Sequence, residues 1–142
     1  MTTAEQLTQV FYDNFQGYFR SHAAHVNIVG RNFASDHKLL EGVYERRQEQ
    51  IDRIGELLRT LDEYMPCDMY AILDHTHLPT DPIEGDADEL LQLVADDMEH
   101  LRDCFIELEE IAEEEEQKRL VDEDTQEAAK VAAKYEKEAE NE

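Results

Sequence analysis

The chain has 142 residues, which favours one domain spanning 1–142 with room for a core of four or five helices. Hydrophobic residues make up 41% and Gly and Pro number only 5 and 3, so long helices are expected rather than a turn-rich β fold. The formal net charge of −23 argues against a nucleic-acid binder, since phosphate contacts need clustered Lys and Arg, and fits cation handling, solubility or adaptation to high salt alike.

Residues 4 to about 29 are predicted as the first helix. Leu7, Val10, Phe11, Phe15, Tyr18, Phe19 and Val26 fall three or four apart and form one apolar stripe. Gly30 is placed to end it. The second helix is predicted from Asn32 to about Glu63, with Phe33, Leu40, Val43, Tyr44, Ile51, Ile54, Leu57, Leu58 and Leu61 as its apolar positions. Pro66, Pro79, Pro82 and Gly85 mark a long connection over 64–85, with room for a short helix from Cys67 to Asp74. A third long helix is expected from Asp86 through Ile111, and a fourth from about Asp122 to Tyr135, followed by an acidic end at about 136–142. Two helices, a crossover with a small helix, then two more helices is the order of a ferritin-like bundle. No stretch approaches the length of a membrane span and no basic-then-apolar leader opens the chain, so a soluble cytoplasmic protein is expected.

The second helix carries two i,i+4 pairs, His37/Glu41 and Asp52/Glu56, each stacking two metal-ligand side chains one turn apart. Imidazole with carboxylate suits iron, zinc or copper. His25 and His37 lie on either side of Gly30, so an antiparallel hairpin closing there brings them level, and one site can take His25, His37 and Glu41. The 15 residues from His37 to Asp52 span about 22 Å of helix, too far for one site within one chain. The two pairs therefore make separate sites, or two copies meet antiparallel about a two-fold axis near Arg46 and Arg47 and form two composite sites.

The segment from His22 to Leu61, HAAHVNIVGRNFASDHKLLEGVYERRQEQIDRIGELLRTL, resembles the ferroxidase region of the Dps family of mini-ferritins. The matching positions are His25, Asn27, Gly30, Phe33, His37, Glu41, Asp52, Ile54 and Glu56, and Asp122 to Glu127 is similar to the family's D-x-x-T-x-D stretch. The resemblance implies a dodecameric hollow shell built from two-fold dimers. It implies oxidation of ferrous iron by hydrogen peroxide or dioxygen, with storage of the ferric product and protection against oxidative damage. It implies that His25, His37 and Glu41 of one subunit act with Asp52 and Glu56 of the partner, and that Asp122 and Glu127 line a cation-entry pore. Zinc or another divalent metal would suit the same ligands.

The segment departs from the family in having Val26 where Trp is usual, Glu41 for Asp, and Leu61-Asp62-Glu63 for Gly-Gly. These departures leave room for a shell protein of weak oxidation activity. DNA compaction, the family's other role, is disfavoured by the charge, and the first lysine is Lys38. His22 reads as a supporting polar residue. His75, His77 and His100 read as unpaired, structural or exposed, and Cys67 and Cys104, without a CxxC partner, as reduced structural or surface thiols.

Overall fold

The computed structural model describes the backbone of residues 1–140 and the side chains of 1–134, so the acidic end expected at 136–142 lies outside the described side chains. Four helices, α1 (Thr3–Asn27), α2 (Phe33–Thr60), α3 (Met69–His75) and α4 (Ala87–Glu140), make up an all-α fold with no strand among the described residues.

α1 starts at a capping box, in which the Thr2 hydroxyl accepts from the Glu5 N–H while Glu5 reaches back to the Thr2 N–H. α2 and α4 both run antiparallel to α1, and α1 is the element against which α2, α3 and α4 all pack. The apolar core lies in two pieces. Near the α1–α2 turn, Ala24, Ile28, Leu40, Leu90 and Val94 close together; at the other end, Leu7, Val10, Phe11, Ile54, Leu58, Ile72 and Cys104 do so.

Between these pieces α1 buries polar side chains. Asn14 donates to the Arg47 carbonyl at 2.9 Å, and the Arg20 Nε donates to Asp97 at 2.7 Å with both side chains about 5% exposed or less. Arg20 also reaches the Pro79 carbonyl, and Gln16 donates to the same oxygen. The crossover after α2 thereby lies along α1 and is tied to it by side-chain bonds to its main chain. Every buried side-chain N or O among the described residues has a partner.

One boundary differs from the sequence-based expectation. The predicted third and fourth helices are a single helix, Ala87–Glu140, 54 residues long. Gly85 is the last Gly or Pro in the chain, so nothing stops the helix after Ile111. Strong helix formers fill 112–120, and Arg119 bridges Glu116 and Glu123 across the expected break. No helix of the described residues is long and apolar enough to cross a membrane.

A groove of about 840 Å³ opens beside α2 and α4, walled by Leu39, Val43, Leu57, Phe105 and Leu108 and rimmed by Arg46, Arg47, Arg53 and Arg102.

Candidate metal centre

The turn between α1 and α2 positions the two predicted histidines. Gly30 sits at φ +132°, a conformation that L side chains rarely adopt, and α2 begins three residues later. The tight return stacks the His25 and His37 rings with centroids 3.6 Å apart.

Each ring is fixed by the other helix. His25 Nδ1 donates to the His37 carbonyl at 2.6 Å, and His37 Nδ1 donates to the His25 carbonyl at 2.7 Å. A carbonyl only accepts, so both rings carry a proton on Nδ1, which leaves Nε2 of each ring as the nitrogen that can face a cation. This is the backbone-anchored orientation that metal-binding histidines commonly have. His25 is buried and His37 half-buried.

Tyr44 closes one side of the pair. Its ring stacks on His22 at 4.0 Å and meets His25 edge-on at 4.9 Å, while the Tyr18 hydroxyl and His22 Nδ1 are 3.1 Å apart. His22 thus belongs to the supporting aromatic layer. Burial, with the Glu41 and Glu45 carboxylates, holds the Tyr44 phenol above its ordinary range. Glu41 is half-buried one turn beyond His37.

Asp52 and Glu56 are exposed farther along α2. At 3.6 residues per turn, His37, Glu41, Asp52 and Glu56 fall within an arc of about 100° of the helix. All four therefore share one face, while Ile54 and Leu58 turn toward the core. Asp122 and Glu127 are exposed on the outer half of α4, about 140° apart around the helix axis at that pitch. Within one chain they do not come together. Glu127 borders a shallow hollow with Asp124, Ala128, Val131 and Ala132.

His25, His37 and Glu41 do not form a closed set of three donors within one chain. Among the described residues, the group of His, Cys, Asp or Glu whose ligand atoms lie within 4.8 Å of one another is Asp13, His77 and His100. Reading His77 and His100 as unpaired is therefore corrected: both face the buried Asp13 Oδ2, at 3.4 and 3.1 Å. The Cys104 sulfur lies 3.3 Å from His100 Nε2. Burial raises the Asp13 carboxyl, but hydrogen bonds from the His77 N–H, His100, Thr76 and Gln9 outweigh it and leave the group below its ordinary range. Burial and the adjacent Asp13 push the Cys104 thiol up to about 12. The i,i+4 spacing of His100 and Cys104 was a visible signal; Asp13 and His77 gave none.

The chain matches the ferritin-like domain family over residues 4–139. Comparison with curated protein sequences finds no match. Among solved structures, Dps from Vibrio cholerae O1, described as a member of a broad superfamily of ferritin-like diiron-carboxylate proteins, superposes with a TM-score of 0.74 at 22% identity. That match covers 79% of this chain and 70% of that one. Dps from Listeria monocytogenes gives 0.77 at 21% identity, covering 86% of this chain and 80% of that one. Dps from Listeria innocua gives 0.77 at 21%, covering 83% and 79%. At these identities the likeness is one of fold.

Proposed function

The chain belongs to the ferritin-like family, and on that premise we propose that it is a mini-ferritin of the Dps type, which binds ferrous iron, oxidises it and stores the ferric product in a hollow oligomeric shell. The observation that carries this reading is the reciprocal anchoring of His25 and His37, which leaves two Nε2 atoms beside the α2 face that also bears Glu41, Asp52 and Glu56.

Iron is the substrate. His25, His37 and Glu41 of one subunit hold it on one side, and Asp52 and Glu56 of a second copy, packed antiparallel across α2, complete the site. Two ferrous ions give one electron each to one hydrogen peroxide, whose O–O bond breaks; two protons are taken up and two waters leave. Carboxylate oxygens are hard donors that suit ferric iron, so they favour the product. Twelve subunits in two-fold pairs form the shell, and dioxygen is the alternative oxidant. Asp122 and Glu127, contributed by several copies, draw cations toward an entry pore. A net charge of −23 per chain opposes contact with nucleic acid.

A shell of weak activity is the second reading, favoured by Val26, which is exposed where relatives carry Trp, and by the longer arm of Glu41. One experiment separates the two. Ferrous iron is mixed anaerobically with the protein, peroxide is added, and ferric absorbance is followed in wild type and in His37→Ala. Oxidation well above the protein-free rate, lost in the variant, is expected. A rate equal to the protein-free control in both samples removes the enzyme claim.

A further inference from the structure

Asp13, His77, His100 and Cys104 come from three separate parts of the fold. Asp13 is in the middle of α1, His77 follows α3 in the crossover, and His100 and Cys104 lie one turn apart on α4. Their donor atoms converge. His100 Nε2 is 3.1 Å and His77 Nδ1 3.4 Å from Asp13 Oδ2. Cys104 Sγ is 3.3 Å from His100 Nε2 and 3.6 Å from the same carboxylate oxygen. The two imidazoles meet edge to face with centroids 5.7 Å apart.

Four of the six separations among these donors, 3.1–3.6 Å, match edges of a coordination tetrahedron. Cys104 lies outside the group whose ligand atoms are all within 4.8 Å of one another, so the exposed His77 ring has to turn toward the thiol as an ion binds. Zinc–nitrogen and zinc–oxygen bonds near 2.0 Å and a zinc–sulfur bond near 2.3 Å give donor-to-donor edges of about 3.3–3.6 Å. The carboxylate is already aimed. Its other oxygen, Oδ1, accepts from the His77 N–H at 2.6 Å and the Thr76 hydroxyl at 2.8 Å. Oδ2 is thereby turned toward the two histidines and the thiol. Thr76 is held in turn by the Leu78 N–H. Second-shell bonds of this kind fix a ligand before the ion arrives.

We propose that Asp13 Oδ2, His77 Nδ1, His100 Nε2 and Cys104 Sγ bind one zinc ion as a closed, four-ligand structural site, separate from the His25/His37 centre. The soft thiolate with two imidazoles selects zinc over hard ions such as magnesium or calcium. Both imidazoles bind neutral, and the thiol gives up its proton to solvent as the sulfur–zinc bond forms. With no open position the ion does no chemistry. It clamps the crossover to α1 and α4, where apolar contacts are otherwise supplied by Ile72 and Leu78.

The test uses the full chain carrying Cys67→Ser, which removes the exposed thiol. Cobalt(II) is added to the metal-free protein and the near-ultraviolet is scanned for thiolate-to-cobalt charge transfer. The expected result is a band that saturates at one ion per chain, persists in His25→Ala/His37→Ala and is displaced by zinc. Cys104→Ser abolishes it. Absence of the band in the parent protein overturns the proposal without any variant needing to fold, since a network held only by hydrogen bonds binds no cobalt through sulfur. A band that survives Cys104→Ser also overturns it. As a second readout, one equivalent of zinc raises the Tm of the parent protein and leaves that of His100→Ala/Cys104→Ala unchanged. Equal shifts in both would place the zinc elsewhere.

Discussion

His37 caps the helix that carries His25. Its Nδ1 donates to the His25 carbonyl, which lies in the last turn of α1 where no further helical N–H can reach it. One imidazole therefore satisfies α1 with one nitrogen and can face a cation with the other. His37→Ala should lower iron binding and also cost about 0.5–1.5 kcal/mol of stability. Glu41→Ala should lower iron binding while stability changes by no more than about 0.5 kcal/mol. Urea unfolding of the iron-free proteins, set beside ferrous binding isotherms, checks the pair; equal stability losses would show that the cap bond contributes nothing.

If the site is composite, its halves can be rescued between chains. A His37→Ala chain and a Glu56→Ala chain should each be inactive alone. Unfolded together and reassembled at equal amounts, half of the two-fold pairs are mixed, and each mixed pair holds one intact site. About a quarter of the wild-type oxidation rate per site should return. No recovery in a mixture shown by mass spectrometry to contain mixed pairs would mean that each chain builds its sites alone.

Arg20 and Asp97 form the buried ion pair of the fold's polar middle. Arg20→Met should destabilise by about 3–5 kcal/mol, because it leaves Asp97 buried without its partner. Burial outweighs the Arg20 bond and holds the Asp97 carboxyl above its ordinary range. A raised acid contributes stability that is fully present below its unfolded value and lost as pH rises through its folded value. Asp97→Asn, which removes that titration, should therefore gain stability relative to wild type as pH rises upward from the ordinary aspartate value of about 3.9. Urea midpoints measured upward from that pH decide it; a difference that is flat or falling contradicts the assignment.

Two glycines should behave in opposite ways. Gly30→Ala forces a Cβ onto a backbone at φ +132°, so it should cost about 1–3 kcal/mol and weaken iron binding by loosening the histidine pair. Gly42 lies inside α2 with nothing within 4 Å of an added Cβ. Gly42→Ala should stabilise the single chain by about 0.5–1 kcal/mol through helix propensity. Thermal melts of both variants at low protein concentration give the comparison.

Element order, the Gly30 turn and the pairing of His25 with His37 were legible because each rests on local spacing: apolar period, a turn glycine, and equal distances on its two sides. The run of α4 through Ile111 to Val121 was misread because apolar periodicity fades there, whereas helix length depends on the absence of a breaker. Asp13 was invisible as a site residue because its neighbours are 63 to 91 positions away in sequence. The antiparallel packing of α1 and α4 brings His100 and Cys104 level with it, and the crossover lying along α1 brings Thr76 and His77. The polar middle of α1, with Asn14 and Arg20 buried, was hidden for the same reason: their partners are chosen by tertiary structure.

The single helix α4 has a further consequence for how the chain divides its work. Among the described residues the last buried one is Cys104, and every described side chain from Glu113 to Lys134 is exposed. Glu115 ties the start of that stretch to Thr3 at the head of α1. Folding and surface chemistry are thus written in separate parts of one helix. Substitutions in the first half are judged by the core of the single chain, while those in the second change the local field and the ion atmosphere around it.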